Sequence, residues 1–136
     1  MNVLIDSSAW IDFLNGFPSP ETAEVEHLLG GDETIHTCGI VAMEVLQGLR
    51  RSGSFPRAVR LFESLVLLEP AGLDTYLRAA EIYRQLRSRG KTIRSTVDCL
   101  VVALAEANDC SILARDRDIQ NIVDSQLVRV SLWIAP

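Results

Sequence analysis

Asn2-Val3-Leu4-Ile5-Asp6-Ser7-Ser8 opens the chain with an unbroken apolar run that stops at an acid. Apolar side chains at every position, two of them β-branched, suit a strand buried on both faces, so residues 2–6 read as a buried strand. Ala9-Trp10-Ile11-Asp12-Phe13-Leu14 continues from Ser7 as a helix, halted near Gly16 and Pro18. An acid at the carboxyl end of a buried strand stands where α/β sheets hold their ligands.

The same alternation runs outward from this point. Glu21 to Leu29 has helical spacing between Pro20 and Gly30-Gly31, and Thr34 to Cys38 reads as a strand. Ile40 to Leu49 is an apolar helix with one acid, Glu44, inside it. Phe55 to Leu65 is helical, Val66 to Glu69 a third strand, and Asp74 to Arg89 a long helix with Leu77, Ala80, Ile82, Tyr83 and Leu86 facing inward or partly so. Ser95 to Asn108 is a helix, Ser111 to Ala114 a strand ending at Arg115-Asp116, Asp118 to Val123 a short helix, and Leu127 to Val130 a last strand. Strands alternating with helices predict an α/β fold around a parallel sheet. The 136 residues suit a single domain, residues 1–136.

Composition narrows the chemistry. Apolar residues make up 48 %, enough for a core, and no apolar run is long enough for a membrane span. The N-terminus lacks the basic start of a signal peptide, which predicts a cytoplasmic protein. Cys38, Cys99 and Cys110 lie far apart and read as reduced, buried thiols. With only His27 and His36 available, a His-rich metal site is poorly supported. A metal here takes oxygen ligands, which favours Mg²⁺, Mn²⁺ or Ca²⁺ over Zn²⁺. The net charge of −5 argues against a nucleic-acid binder as a whole, but the cations are nearly all arginine and gather at Arg50-Arg51 with Arg57 and Arg60, at Arg84 to Arg94, and at Arg115 and Arg117. Arginine's planar fork suits phosphate, although a solvated helix face is the simpler reading of any one group.

Each conspicuous acid has a structural explanation. Asp6 suits a helix N-cap. Glu44 reads as an outward helix residue, yet few polar neighbours define a wet face around it. Ser95-Thr96-Val97-Asp98 matches a capping box, in which the acid reaches back to the cap's N–H. Asp116 and Asp118 read as a charged turn and the first turn of a helix. Together they point further. All lie beside apolar segments that can converge on one sheet edge, and crowded carboxylates repel one another unless a cation joins them. A divalent ion held by carboxylates and water suits phosphodiester hydrolysis, by one ion or by two.

In order and spacing, Val3 to Ile11, Ala42-Met43-Glu44-Val45-Leu46, Arg94 to Ala105 and Leu113 to Ile119 resemble the motifs of PIN domains, VapC-type ribonuclease toxins above all. The resemblance spans nearly the whole chain. It implies a three-layer sandwich, with a parallel sheet of four to five short strands between helices, and a Mg²⁺- or Mn²⁺-dependent endoribonuclease. It further implies an RNA substrate such as tRNA or rRNA, inhibition by a cognate VapB-type antitoxin, and a homodimer. By motif position Asp6, Glu44, Asp98 and Asp116 are the catalytic, metal-binding set and Asp118 an accessory ligand. Ser8 stands beside the first acid, bonded to it or to a metal water, and Arg94 precedes the third. The chain departs from the pattern at Ala114, where the family often has Thr or Asn, and at Ile119, where it often has an aromatic residue; neither change removes an acid.

Two other readings remain open. An inert PIN-like module would bind RNA without cutting it. A receiver-like phosphoacceptor domain needs adjacent acids after the first strand and a lysine after a late one, whereas Asp6 is followed by Ser7-Ser8 and Lys91 falls between two helices.

Overall fold

A computed structural model describes residues 1–134, the side chain of Ser52 excepted. Its elements follow in the order β1 (Asn2–Ile5), α1 (Ser7–Leu14), α2 (Pro20–Leu29), β2 (Thr34–Cys38), α3 (Gly39–Gln47), α4 (Phe55–Glu63), β3 (Val66–Leu68), α5 (Leu73–Ser88), α6 (Thr96–Ala107), β4 (Ser111–Leu113) and α7 (Arg117–Asp124). The four strands form one parallel sheet in the order β3-β2-β1-β4. The α/β architecture with flanking helices is the one expected.

β1 lies between β2 and β4, with Leu4 level with His36 on one side and Ile112 on the other. Val3, Leu4 and Ile5 have no exposed surface, which is why this strand is apolar at every position. The chain builds outward from β1 to β2 and β3, then crosses back to lay β4 on β1's other side. The sheet therefore changes direction between β1 and β4, and in open α/β sheets the crevice at such a reversal is the ligand site. Trp10, buried edge-on against Phe62 at 5.2 Å between ring centroids, fixes α1 against α4 and so holds the helix that starts at this crevice. The cysteines are all free and buried, as expected. No described helix is long and apolar enough to cross a membrane.

Two expectations need correction. Leu127 to Val130 is not a strand, because side chains hold its backbone first. The Arg78 guanidinium donates to the Leu127 carbonyl at 2.9 Å, and the Arg129 N–H donates to Glu106 at 2.8 Å. Pairing with β4 begins only beyond this clamp, where Ile112 N–H donates to the Ser131 carbonyl and Trp133 N–H to the Ile112 carbonyl, making a single bridge at Leu132. On α5 the inward stripe is Thr75, Ala79, Ile82 and Leu86, at helical spacing. Leu77 and Ala80 face outward, on the side that also exposes Leu73 and Tyr76.

Candidate active site

The carboxyl ends of β1 and β4 bring the acids together. Asp6 follows β1 directly, and its N–H donates to the Leu113 carbonyl at 2.9 Å, carrying the sheet one residue past the strand. It occupies the N-cap position of α1 without a side-chain cap bond, so capping does not account for its carboxylate. The Ser8 hydroxyl donates to that carboxylate at 3.0 Å and accepts the Arg115 N–H at 3.1 Å. One hydroxyl thus ties the start of α1 to the loop after β4. Asp6 is buried, and burial pushes its pKa up to about 6; the polar groups of Ser7 and Ser8 oppose the rise and the Asp116 charge adds to it.

Asp98 stands in the first turn of α6. Ser95 caps that helix through its hydroxyl, which accepts the Val97 N–H at 3.2 Å, but the reciprocal half of a capping box is missing. Among the described residues the Asp98 carboxylate accepts no hydrogen bond. Its pKa is pushed up to about 7, first by burial and then by Asp116, Asp6, Asp118 and Glu44 in turn. Every other acid singled out in the sequence therefore acts on Asp98.

Asp116 is the N-cap of α7. Its Oδ1 accepts the N–H groups of Asp118 at 2.7 Å and Ile119 at 3.2 Å, which fixes the carboxylate and leaves Oδ2 outside the cap. Asp118 is buried, and its Oδ2 accepts the Arg94 N–H at 3.2 Å. The Arg94 guanidinium is 3.6 Å from the same oxygen but 82 % exposed, so water screens it. Glu44, half-buried on α3, accepts the Ser7 hydroxyl at 3.3 Å.

Asp98, Asp116 and Asp118 each place a carboxylate oxygen within 4.8 Å of the others. Ligands opposite one another on Mg²⁺ stand about 4 Å apart, so the three oxygens nearly span a coordination sphere. Asp6 and Glu44 border this set without belonging to it. Asp118, expected only as an accessory, sits inside the tightest group, held there by a backbone N–H from the loop before α6. The donors are all oxygen. Cys38 and Cys99 are nearby, but burial raises both thiols, Cys99 to about 11 with help from Asp98 and Asp118, so neither offers a thiolate. Such a set fits a hard divalent cation. Sequence reasoning missed the clasp of Ser7 on Glu44 and the double role of Ser8; Ser7's place directly after Asp6 was the only signal for the first.

Comparison with known proteins shows the family and the fold. Residues 3–124 match the PIN domain family. Ribonuclease VapC11 of Mycobacterium tuberculosis is 36 % identical over 117 residues, which cover 85 % of this chain and 87 % of the relative. Among solved structures, VapBC2 of Rickettsia felis, bound to a DNA fragment from its promoter, superposes with a TM-score of 0.73 at 19 % identity over 98 % of both chains. VapC20 of M. tuberculosis, described as a sarcin–ricin loop cleaving toxin, superposes at 0.66 and 19 % identity, over 95 % of this chain and 98 % of that one. At those identities the structures speak for the fold, while the sequence matches speak for descent: the chain belongs to the PIN-domain family, among the VapC ribonucleases.

Proposed function

We propose that this protein is a metal-dependent endoribonuclease toxin of a VapBC-type pair, cutting RNA at the crevice between β1 and β4. The observation that carries the reading is Asp98, a carboxyl with no hydrogen bond among the described residues, faced by four other acids. An arrangement so unfavourable on its own is explained by a cation that joins it. In this reading Asp98, Asp116 and Asp118 hold Mg²⁺ or Mn²⁺, with Asp6 and Glu44 completing the shell directly or through water. The bound ion supplies a lowered pKa for the attacking water and a counter-charge for the scissile phosphate and leaving oxygen.

The chain's own part is orientation. Ser8 holds one oxygen of Asp6, Ser7 one oxygen of Glu44, and the α7 cap one oxygen of Asp116, so each acid presents its remaining oxygen in a fixed direction. The named activity of the VapC relatives supports RNA as substrate, tRNA or rRNA being the expected class. The VapBC complexes among the structural relatives support a VapB-type antitoxin as partner; the homodimer is part of this proposal on the family resemblance alone. A phosphoacceptor role finds no support, since Lys91 is an exposed loop residue.

Incubation of the purified protein with mixed RNA, with and without Mg²⁺, tests this. Cleavage is expected only with the metal, and only in protein that retains Asp6 and Asp98. Cleavage that survives EDTA, or proceeds equally in Asp6→Asn and Asp98→Asn, overturns the mechanism. RNA bound in Mg²⁺ but never cut identifies an inert binding module instead.

A further inference from the structure

One turn of α1 beyond Ser8, about 5.4 Å along the helix, lies a cleft of about 400 Å³ built mainly from Ile11, Asp12, Asn15, Phe17, Arg50 and Arg115. Its size is that of a small-ligand site. Phe17 is 49 % exposed, yet its backbone is pinned. Its N–H donates to the Asp12 carbonyl at 2.8 Å, and its own carbonyl accepts the Thr22 hydroxyl at 2.7 Å. Gly16, at φ +71°, makes the turn before it, and Pro18 restricts the chain after it. An apolar ring exposed on a loose loop needs no explanation. A ring held out to water by a fixed backbone does.

Two arginines attend it. The Arg115 guanidinium carbon is 5.2 Å from the Phe17 ring centroid, and one of its nitrogens donates to Asp12 at 2.7 Å. Among the described residues its other N–H groups have no acceptor. Arg50 opens on the same cleft, and its backbone N–H donates to Asn15 Oδ1 at 3.2 Å. Two guanidiniums against one aspartate leave the cleft cationic, in a protein whose net charge is −5. The cleft is also wired to the acids. Arg115 immediately precedes Asp116, and its N–H donates to Ser8, which in turn donates to Asp6.

We infer that this cleft is a subsite for a nucleotide flanking the bond to be cut, with an unpaired base against Phe17 and a phosphate on Arg50 and the open edge of Arg115. The inference rests on the ribonuclease reading above. A pinned aromatic beside cations is the device by which proteins hold single strands, since every base offers a stacking face and every nucleotide a phosphate. Among the described residues the open N–H groups of Arg115 lack acceptors, and a phosphate supplies them in the planar pair that a guanidinium fits.

Steady-state cleavage of a short single-stranded oligoribonucleotide that the wild type cuts, in Mg²⁺, tests the assignment with Phe17→Ala and Arg50→Gln. An abasic scan along both sides of the cut accompanies it. Phe17→Ala is expected to raise KM on the order of 10-fold with kcat little changed. At one flanking position an abasic residue should raise KM for the wild type and add nothing further in Phe17→Ala. Arg50→Gln is expected to raise KM several-fold and to flatten the salt dependence of log(1/KM) by about 0.7. The Mg²⁺-induced rise in Tm should be the same in all three proteins, showing that fold and acids are intact. An unchanged KM in both variants overturns the subsite, as does an abasic penalty equal in wild type and Phe17→Ala at every position. Loss of binding to a co-expressed antitoxin with RNA cleavage unaltered also overturns it and makes the cleft a protein surface. If the wild type cuts no RNA in Mg²⁺, the ribonuclease reading itself falls, and the subsite with it.

Discussion

Helix α6 carries an acid at each end, and the two have opposite circumstances. Glu106, in the last turn, takes a bidentate clasp from Arg78 at 2.7 and 3.1 Å and accepts the Arg129 N–H, so its pKa lies below the usual range, the Arg78 hydrogen bond being the main cause. Asp98, in the first turn, accepts no hydrogen bond from the described residues and faces four other acids, and burial with those charges pushes its pKa up to about 7. The chain had an arginine available near each end. It closed Arg78 onto Glu106, while the Arg94 guanidinium stays in water, 3.6 Å from the acid beside Asp98. Glu106 is a carboxylate that holds structure together; among the described residues no cation of the chain pairs with Asp98, as the proposed metal site requires.

Neutralising Asp98 should therefore separate activity from stability. Asp98→Asn is expected to lower RNA cleavage on the order of 10²–10³-fold, comparable to loss of a preorganised charge-stabilising group elsewhere. The same change removes repulsion, so the metal-free variant should melt at or above the wild-type Tm at pH 7.5. A variant that melts well below the wild type makes Asp98 a structural acid like Glu106 and dissolves the contrast.

The next largest effect is linkage. Asp6 and Asp98 have folded pKa values of about 6 and 7 against an ordinary 3.8, so the folded state holds their protons more tightly than the unfolded chain. Their contribution is fully present below pH 3.8 and is lost as pH rises to about 7. Over that window each group lowers stability by at most about 1.4 kcal/mol per pH unit. Glu106 works with the opposite sign: its contribution is present above its ordinary value of 4.5 and is lost as pH falls through the depressed one. Mg²⁺ at 100 times its dissociation constant should restore about 2.7 kcal/mol to the wild type at neutral pH and much less to Asp98→Asn. Calorimetry across pH, with EDTA and with Mg²⁺, reads both effects. A wild-type Tm indifferent to Mg²⁺ at pH 7.5 counts against the acids as a cation site.

The two ends of α6 also differ in how far the sequence discloses them. Asp6 is readable because an apolar strand ends on it, and local pattern suffices for that. Asp98 is readable as a first-turn acid, but its missing cap bond is not, since Ser95 and Asp98 look the same whether the box closes or stays half made. The place of Asp118 depends on a backbone N–H from Arg94, 24 residues earlier, which no local pattern discloses. Glu44 stands out only by resemblance, because the hydroxyl that orients it comes from Ser7, 37 residues away. The expected last strand fails for the same reason: Arg78 and Glu106, 49 and 23 residues from their backbone partners, take the groups a sheet would have used. Local periodicity finds elements, while long-range side-chain claims on the backbone lie beyond it.

Glu106→Gln examines the structural end. Glu106 is 10 % exposed and Arg78 28 %, so the pair is partly shielded, and its loss is expected to cost roughly 1–3 kcal/mol. Cleavage per folded molecule should not change, because no acid of the cluster touches Glu106. The freed segment around Arg129 should become more sensitive to trypsin in native conditions. A loss of cleavage at full stability would place Glu106 with the functional acids, contrary to its hydrogen bonds.

Arg94 gives the smallest expected effect and the finest comparison with Arg78. Its guanidinium is exposed and 3.6 Å from Asp118, while its backbone N–H is the closer contact at 3.2 Å. Arg94→Gln keeps that N–H and removes only the screened charge, so stability should move by less than about 0.5 kcal/mol. The lost cation competes with metal at Asp118, so the variant should bind Mg²⁺ slightly more tightly, by no more than a few-fold, as followed by the concentration at which Tm rises. Arg78→Gln, by contrast, strips Glu106 of a bidentate partner and leaves the Leu127 carbonyl unclasped, and should lose as much stability as Glu106→Gln. Equal losses from Arg94→Gln and Arg78→Gln would mean that the Arg94 charge is a structural partner of Asp118 after all, and that the open end of α6 is held by the chain's own cation rather than left for another.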